Sequence, residues 1–87
     1  MSTFFVYIIY SPSRGIYYKG FSEDPVRRLQ EHHADKSRYT SGKGPWEMVY
    51  LKNYSTKREA LIAEKKIKRA GSEYLHKLIR EYQAENS

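Results

Sequence analysis

An α+β domain is what this sequence predicts, with a three-stranded antiparallel sheet flanked by about three helices. Three observations carry that expectation. Two strand-like runs are separated by a short string of turn formers. A third run of strand composition follows a polar loop. The remaining segments repeat their apolar residues at helical rather than strand spacing. At 87 residues the chain is expected to be a single domain over 1–87, with its core between about residues 4 and 82 and a polar C-terminal tail.

The run Phe4 to Ser11 is almost continuously β-branched or aromatic, which suits a strand covered on both faces and places it in the middle of the sheet. The string from Ser11 to Gly15, Ser-Pro-Ser-Arg-Gly, reads as a turn, so Ile16 to Ser22 returns antiparallel to the first strand. A turn centred between Pro12 and Ser13 sets Tyr7 across from Tyr18. Next, Ser22 or Asp24 can cap a helix with Pro25 in its first turn, and Val26, Leu29 and His33 form its apolar stripe to about Ala34. Asp35 to Pro45 reads as a loop, and Trp46 to Asn53 as the third strand. Thr56 and Glu59 are spaced as a capping box for a second helix that Gly71 stops. Leu75, Leu78, Ile79 and Tyr82 give the last helix one apolar face.

Apolar residues make up 39% of the chain and nine tyrosines dominate its aromatic share, so much of the core must be built from amphipathic rings, Tyr10, Tyr17 and Tyr50 among them. The absence of cysteine removes disulfides, thiolate metal sites and thiol nucleophiles. No apolar run approaches the ~20 residues of a membrane helix, and the expectation is a cytoplasmic protein. A net charge of +6 favours polyanionic partners, nucleic acid first among them.

Some residues break the packing pattern. Glu64 falls between Leu61 and Ile67 on the stripe that should face the core, whereas Lys65, Lys66 and Arg69 point away. A carboxylate there needs a cation, a hydrogen-bond donor or an ion pair, and Lys68 is four residues on. Arg28 and His32 are also four apart, which puts a planar donor fork beside an imidazole, a plausible phosphate site. Tyr7 and Tyr18 bring two phenols to one face of the hairpin.

Together these residues resemble the GIY-YIG nuclease domain, and the similarity runs from about Phe4 to Ile79. The literal Gly-Ile-Tyr at 15–17 is a coincidence. In that family the tyrosine closing the first triplet stands eleven residues before the tyrosine opening the second, a spacing that Tyr7 and Tyr18 keep in "FVY" and "YKG". The family's arginine, ten residues further on, corresponds to Arg28, its histidine one helical turn later to His32, and its metal-binding glutamate to Glu64 in "AEKKIK". The stretch "YTSGKGPWEMVYL" is more similar to small stand-alone bacterial members and to the catalytic subunit of branched-DNA nucleases than to homing endonucleases. No asparagine follows Glu64 where some members carry one.

The resemblance implies a DNA endonuclease acting in repair or recombination, with one divalent cation, magnesium or manganese, on Glu64. Arg28 is expected on a nonbridging phosphate oxygen, Tyr7 as general base, Tyr18 orienting water or phosphate, and His32 orienting water or assisting Tyr7. A phenol titrates at about 10, so bringing Tyr7 to ~7 takes ~4 kcal/mol, which Arg28 and the cation are expected to supply. Lys36, Arg38, Tyr39 and Lys43 are candidate DNA contacts to phosphate rather than to bases, set against simple solubility. The expected substrate is duplex or branched DNA with little sequence specificity, and a protein partner would supply targeting. The alternatives are an inactive nucleic-acid-binding module and a catalytic head that works only beside such a partner.

Overall fold

Val6, Tyr7, Ile8 and Ile9 are consecutive and essentially inaccessible to water, which a strand with one wet face cannot achieve. They belong to β1 (Phe4–Ser11), the central strand of the sheet in the computed structural model, which describes residues 3–34 and 41–86. The other elements in chain order are β2 (Ile16–Ser22), α1 (Pro25–His33), β3 (Glu47–Tyr54), α2 (Lys57–Arg69) and α3 (Ser72–Glu85). The strand order is β2-β1-β3 with both pairings antiparallel, so the α+β architecture stands as expected. No helix among the described residues is long and apolar enough to cross a membrane.

The hairpin turn is centred one residue later than expected, so each cross-strand pairing moves by two residues. The turn spans Pro12 to Gly15, with Gly15 at φ 66° and its N–H bonded to the Ser11 carbonyl at 2.7 Å. Ser11 therefore pairs with Ile16, Tyr7 with Gly20, and Tyr18 with Ile9. Tyr7 and Tyr18 are diagonal neighbours rather than directly opposed. Side-chain direction repeats every second residue, so the altered pairing leaves both phenols on the same face.

Two cores form, one on each side of β1. Val6 and Ile8 join Val49, Tyr50, Ala60, Ile67, Leu75 and Ile79 under α2 and α3. Tyr7 and Ile9 join Trp46 on the opposite face, with Leu29 of α1, Tyr18, Met48 and Leu51 against them. A bulge lets β3 serve both cores. Ile8 pairs with Tyr50 but Ile9 with Met48, so Val49 is an extra residue and lies beside Tyr50 in the first core.

Local signals explain the helix boundaries. The Asp24 carboxylate accepts from the Arg27 N–H at 3.1 Å and Pro25 opens α1. Thr56 Oγ accepts from the Glu59 N–H at 3.2 Å and donates to its carboxylate at 2.9 Å. Gly71 does not stop α2, which ends at Arg69. Gly71 instead precedes α3 as its N-cap. The stripe of α1 is also rotated from the expected one: Val26 is 67% exposed, and Pro25, Leu29 and His32 face the sheet. On α2, Leu61 is exposed as well. The buried residues of α2 are Ala60 and Ile67, and Leu61 lies about 100° around the helix from Ala60, off that face.

Ile8→Ala should cost about 2–5 kcal/mol of unfolding free energy, because it opens a cavity in the centre of the first core. Val26→Ala should stay within about 0.5 kcal/mol. Urea titration with an unchanged slope checks both.

Candidate active site

Tyr7 cannot leave the interior, because its strand is covered on both sides, so its hydroxyl needs a buried partner. That partner is His32, whose Nε2 lies 3.0 Å from the Tyr7 oxygen. The ring of Tyr7 projects over β2, where the residue facing it is Gly20. A Cβ on Gly20 would come within 2.5 Å of both Cζ and the hydroxyl oxygen of Tyr7. Gly20, the last residue of the "YKG" triplet, thus has a packing role in the site that the spacing of the two tyrosines did not assign. Its signal was present, since a glycine inside a strand often marks close approach of another group.

Tyr18 closes the other side. Its ring meets His32 edge-on with centroids 4.9 Å apart and stands 6.3 Å from Tyr7. His32 has no exposed surface, and Trp46 lies beyond it with ring centroids 6.5 Å apart. Burial, reinforced by the positive charge of Arg28, lowers the His32 pKa to about 4, with Glu31 pulling weakly the other way. A neutral imidazole is therefore available to accept a hydrogen bond from the phenol.

The expected acidification of Tyr7 is not what the structure shows. Its pKa is pushed up to about 12, first by burial and then by Tyr18. Arg28 does act in the expected direction through its charge and a hydrogen bond, but burial outweighs it, and Glu64 raises the value further. Tyr7 is a neutral phenol in the free protein.

The charged members of the cluster are held in ion pairs. Arg28 Nη1 is 3.1 Å from Glu31, whose other oxygen is 3.8 Å from Arg27. The Glu64 side chain is 17% exposed and Lys68 Nζ stands 3.6 Å from it. Glu64 thus borders the cluster closely enough for its field to act on Tyr7, and the pairing with Lys68 occurs as well. The structure brings Tyr7, Tyr18, Arg28 and His32 together, with Glu64 at the margin. A recess of about 440 Å³ opens beside Arg28, with Arg27 and Lys57 on its walls.

Glu64 is a single carboxylate, and no group of three or more metal-ligating side chains occurs among the described residues. Such a donor set fits a hard cation that keeps several waters and takes its other oxygens from substrate; it does not fit a closed structural metal site. Of the candidate DNA contacts, Lys36, Arg38 and Tyr39 lie outside the described residues. Lys43 is half-buried, and its carbonyl accepts a hydrogen bond from the buried Ser11 hydroxyl at 2.5 Å. His33, expected on the apolar stripe, instead meets the backbone of Trp46 at the carbonyl (2.7 Å) and at the amide nitrogen (2.9 Å).

Comparison with known proteins bears on the family and the fold. The profile of the GIY-YIG catalytic domain matches residues 3–82. A UPF0213 protein of Aeromonas salmonicida is 37% identical over 68 residues, 77% of this chain and 50% of that protein, so the match spans about half of that relative. The mouse structure-specific endonuclease subunit SLX1 is 40% identical over 55 residues, 55% of this chain and 20% of its own length. The solution NMR structure of a UPF0213 protein from Bacillus halodurans aligns with TM-score 0.59 at 29% identity, covering 90% of this chain and 83% of that one.

Two outcomes follow from the geometry. Gly20→Ala should displace the Tyr7 ring and cost about 1–3 kcal/mol, measured by denaturant unfolding, with a change in near-ultraviolet circular dichroism. His32 binds its proton near 6.5 in the unfolded chain and at about 4 here. Its contribution should be complete above pH 6.5, decline as pH falls toward 4 and level off below that, for a total on the order of 3 kcal/mol. Stability measured against pH should show a smaller decline in this window for His32→Gln than for the wild type.

Proposed function

The chain belongs to the GIY-YIG family of catalytic domains, and from that premise we propose that it is a divalent-metal-dependent endonuclease that hydrolyses DNA phosphodiester bonds in repair or recombination. The observation that carries this reading is the Tyr7–His32 hydrogen bond, set under Tyr18 and bordered by Arg28 and Glu64. The shared domain with a structure-specific endonuclease subunit supports DNA as substrate and a protein partner for targeting.

In this mechanism a water oxygen attacks phosphorus, the new P–O bond forms, and the bond to the sugar oxygen breaks, that oxygen leaving as an alkoxide that takes a proton from solvent water. Tyr7 takes the proton of the attacking water as its own hydroxyl proton passes to Nε2 of His32. The raised Tyr7 pKa and the lowered His32 pKa argue for a concerted relay, since a resting tyrosinate–imidazolium pair would be far uphill. Arg28 exchanges its Glu31 partner for a nonbridging phosphate oxygen, and the contact strengthens as charge builds in the transition state. Tyr18 orients the water or the phosphate. Glu64 would hold the cation, magnesium or manganese, which when bound stabilises charge on the phosphate and the leaving oxygen. Lys36, Arg38, Tyr39 and Lys43 are proposed contacts to the DNA backbone.

The ion pairs at Arg28 and Glu64 favour a second reading, a domain that binds nucleic acid without cutting it until a partner or substrate rearranges those pairs. Assays on single-stranded, duplex, flapped and branched DNA with magnesium or manganese separate the two. Cleavage should occur, and Glu64→Ala or Tyr7→Phe should each reduce kcat by at least ~100-fold while DNA affinity changes only a few-fold. Absence of cleavage on every substrate would establish the second reading. Full activity in Glu64→Ala would remove Glu64 as the metal residue. DNA affinity should fall steeply with added salt.

A further inference from the structure

We propose that the groove between α2 and α3 is a docking site for an acidic amphipathic helix of a partner protein. At about 100° per residue, Ile62 lies about 160° around α2 from Glu64, so this surface is separate from the cluster at Tyr7. A recess of about 550 Å³ is lined by Ile62, Ala70 and the Tyr74 ring, with Lys65, Lys66 and Arg69 around it. Ile62 is 59% exposed, a large aliphatic side chain left at the surface where α2 and α3 diverge. The recess continues through Ile62, Lys66 and Tyr74 into a second one of about 400 Å³, reaching Ala63 and Leu78. The result is an apolar trough rather than an isolated exposed residue.

The rim selects the partner's charge. Lys65, Lys66 and Arg69 form no ion pair with an acid among the described residues, whereas Lys68, on the other flank of the same helix, is paired with Glu64. Glu59, at the far end of the trough, is engaged in capping α2. A helix with apolar residues at i, i+3, i+4 and i+7 fills such a trough, and carboxylates along its edges meet the three cations. DNA is the weaker match. Its phosphates would suit the cations, but the floor mixes aliphatic side chains with tyrosines. Of the three tyrosines that line it, Tyr50 is buried, and the rings of Tyr54 and Tyr74 are each covered by an ammonium, Lys52 Nζ at 5.6 Å and Lys66 Nζ at 5.5 Å from the centroids, which leaves no open platform for a base.

The test uses the intact chain labelled with ¹⁵N. It is titrated with a synthetic helical peptide of about 15 residues carrying a leucine stripe flanked by glutamates, with a lysine-flanked counterpart, and with single-stranded and duplex DNA. The glutamate peptide should shift the amide resonances of Ile62, Lys66, Arg69 and Tyr74 saturably. Ile62→Asp, or Lys66→Glu with Arg69→Glu, should weaken it at least ~10-fold without changing thermal stability or DNA cleavage. Because the readout is binding, it is independent of whether the nuclease reading holds. No shifts in the groove, equal binding of the lysine peptide, or DNA displacing the glutamate peptide from these residues would each overturn the proposal.

Discussion

The molecule is organised by one constraint: the central strand is dry on both sides, and Tyr7, near its middle, carries a hydroxyl into the interior. Val6, Ile8 and Ile9 satisfy themselves by packing, but Tyr7 must also find a polar partner away from water. That requirement draws α1 onto the sheet with His32 fully buried beneath it, and leaves Val26 outside. The same helix then delivers Arg28, one turn earlier, to the edge of the buried pair. The candidate site is thus a consequence of how the second core is closed.

Burial sets the electrostatic character of the site more than any single charge does. It pushes the phenol up and the imidazole down, so both are neutral at physiological pH and joined by a hydrogen bond. The ionised groups sit at the wetter rim and are held by exchangeable partners, Arg28 by Glu31 and Glu64 by Lys68. The result is a neutral interior with a charged rim.

Much of this was legible in the sequence because it rests on short-range chemistry. The β-branched run, the Pro-Ser-Arg-Gly turn, Pro25 and the Thr56 cap each specify their own neighbourhood, and the α+β fold with three strands and three helices follows from them. Residue spacing, together with the family resemblance, also singled out Tyr7, Tyr18, Arg28, His32 and Glu64, of which the structure brings the first four together and leaves Glu64 at their margin. What escaped depends on tertiary placement. The hairpin register turned on a four-residue loop. The stripe of α1 was ambiguous because two adjacent histidines, His32 and His33, offer the same letter for different tasks, one buried against Tyr7 and one fastened to the backbone of Trp46. The sign of the Tyr7 shift required knowing how completely the ring is enclosed, which spacing does not reveal.

The close approach of the Tyr7 ring to the backbone at position 20 makes these two positions a lock and its keyhole across the hairpin. Within this packing a side chain at position 20 and the Tyr7 ring exclude one another, so only a chain without that ring has room for an ordinary strand former opposite it. Within this architecture, a bulky residue at the keyhole is therefore a signature, readable before any assay, of a copy whose ring at position 7 is absent or displaced.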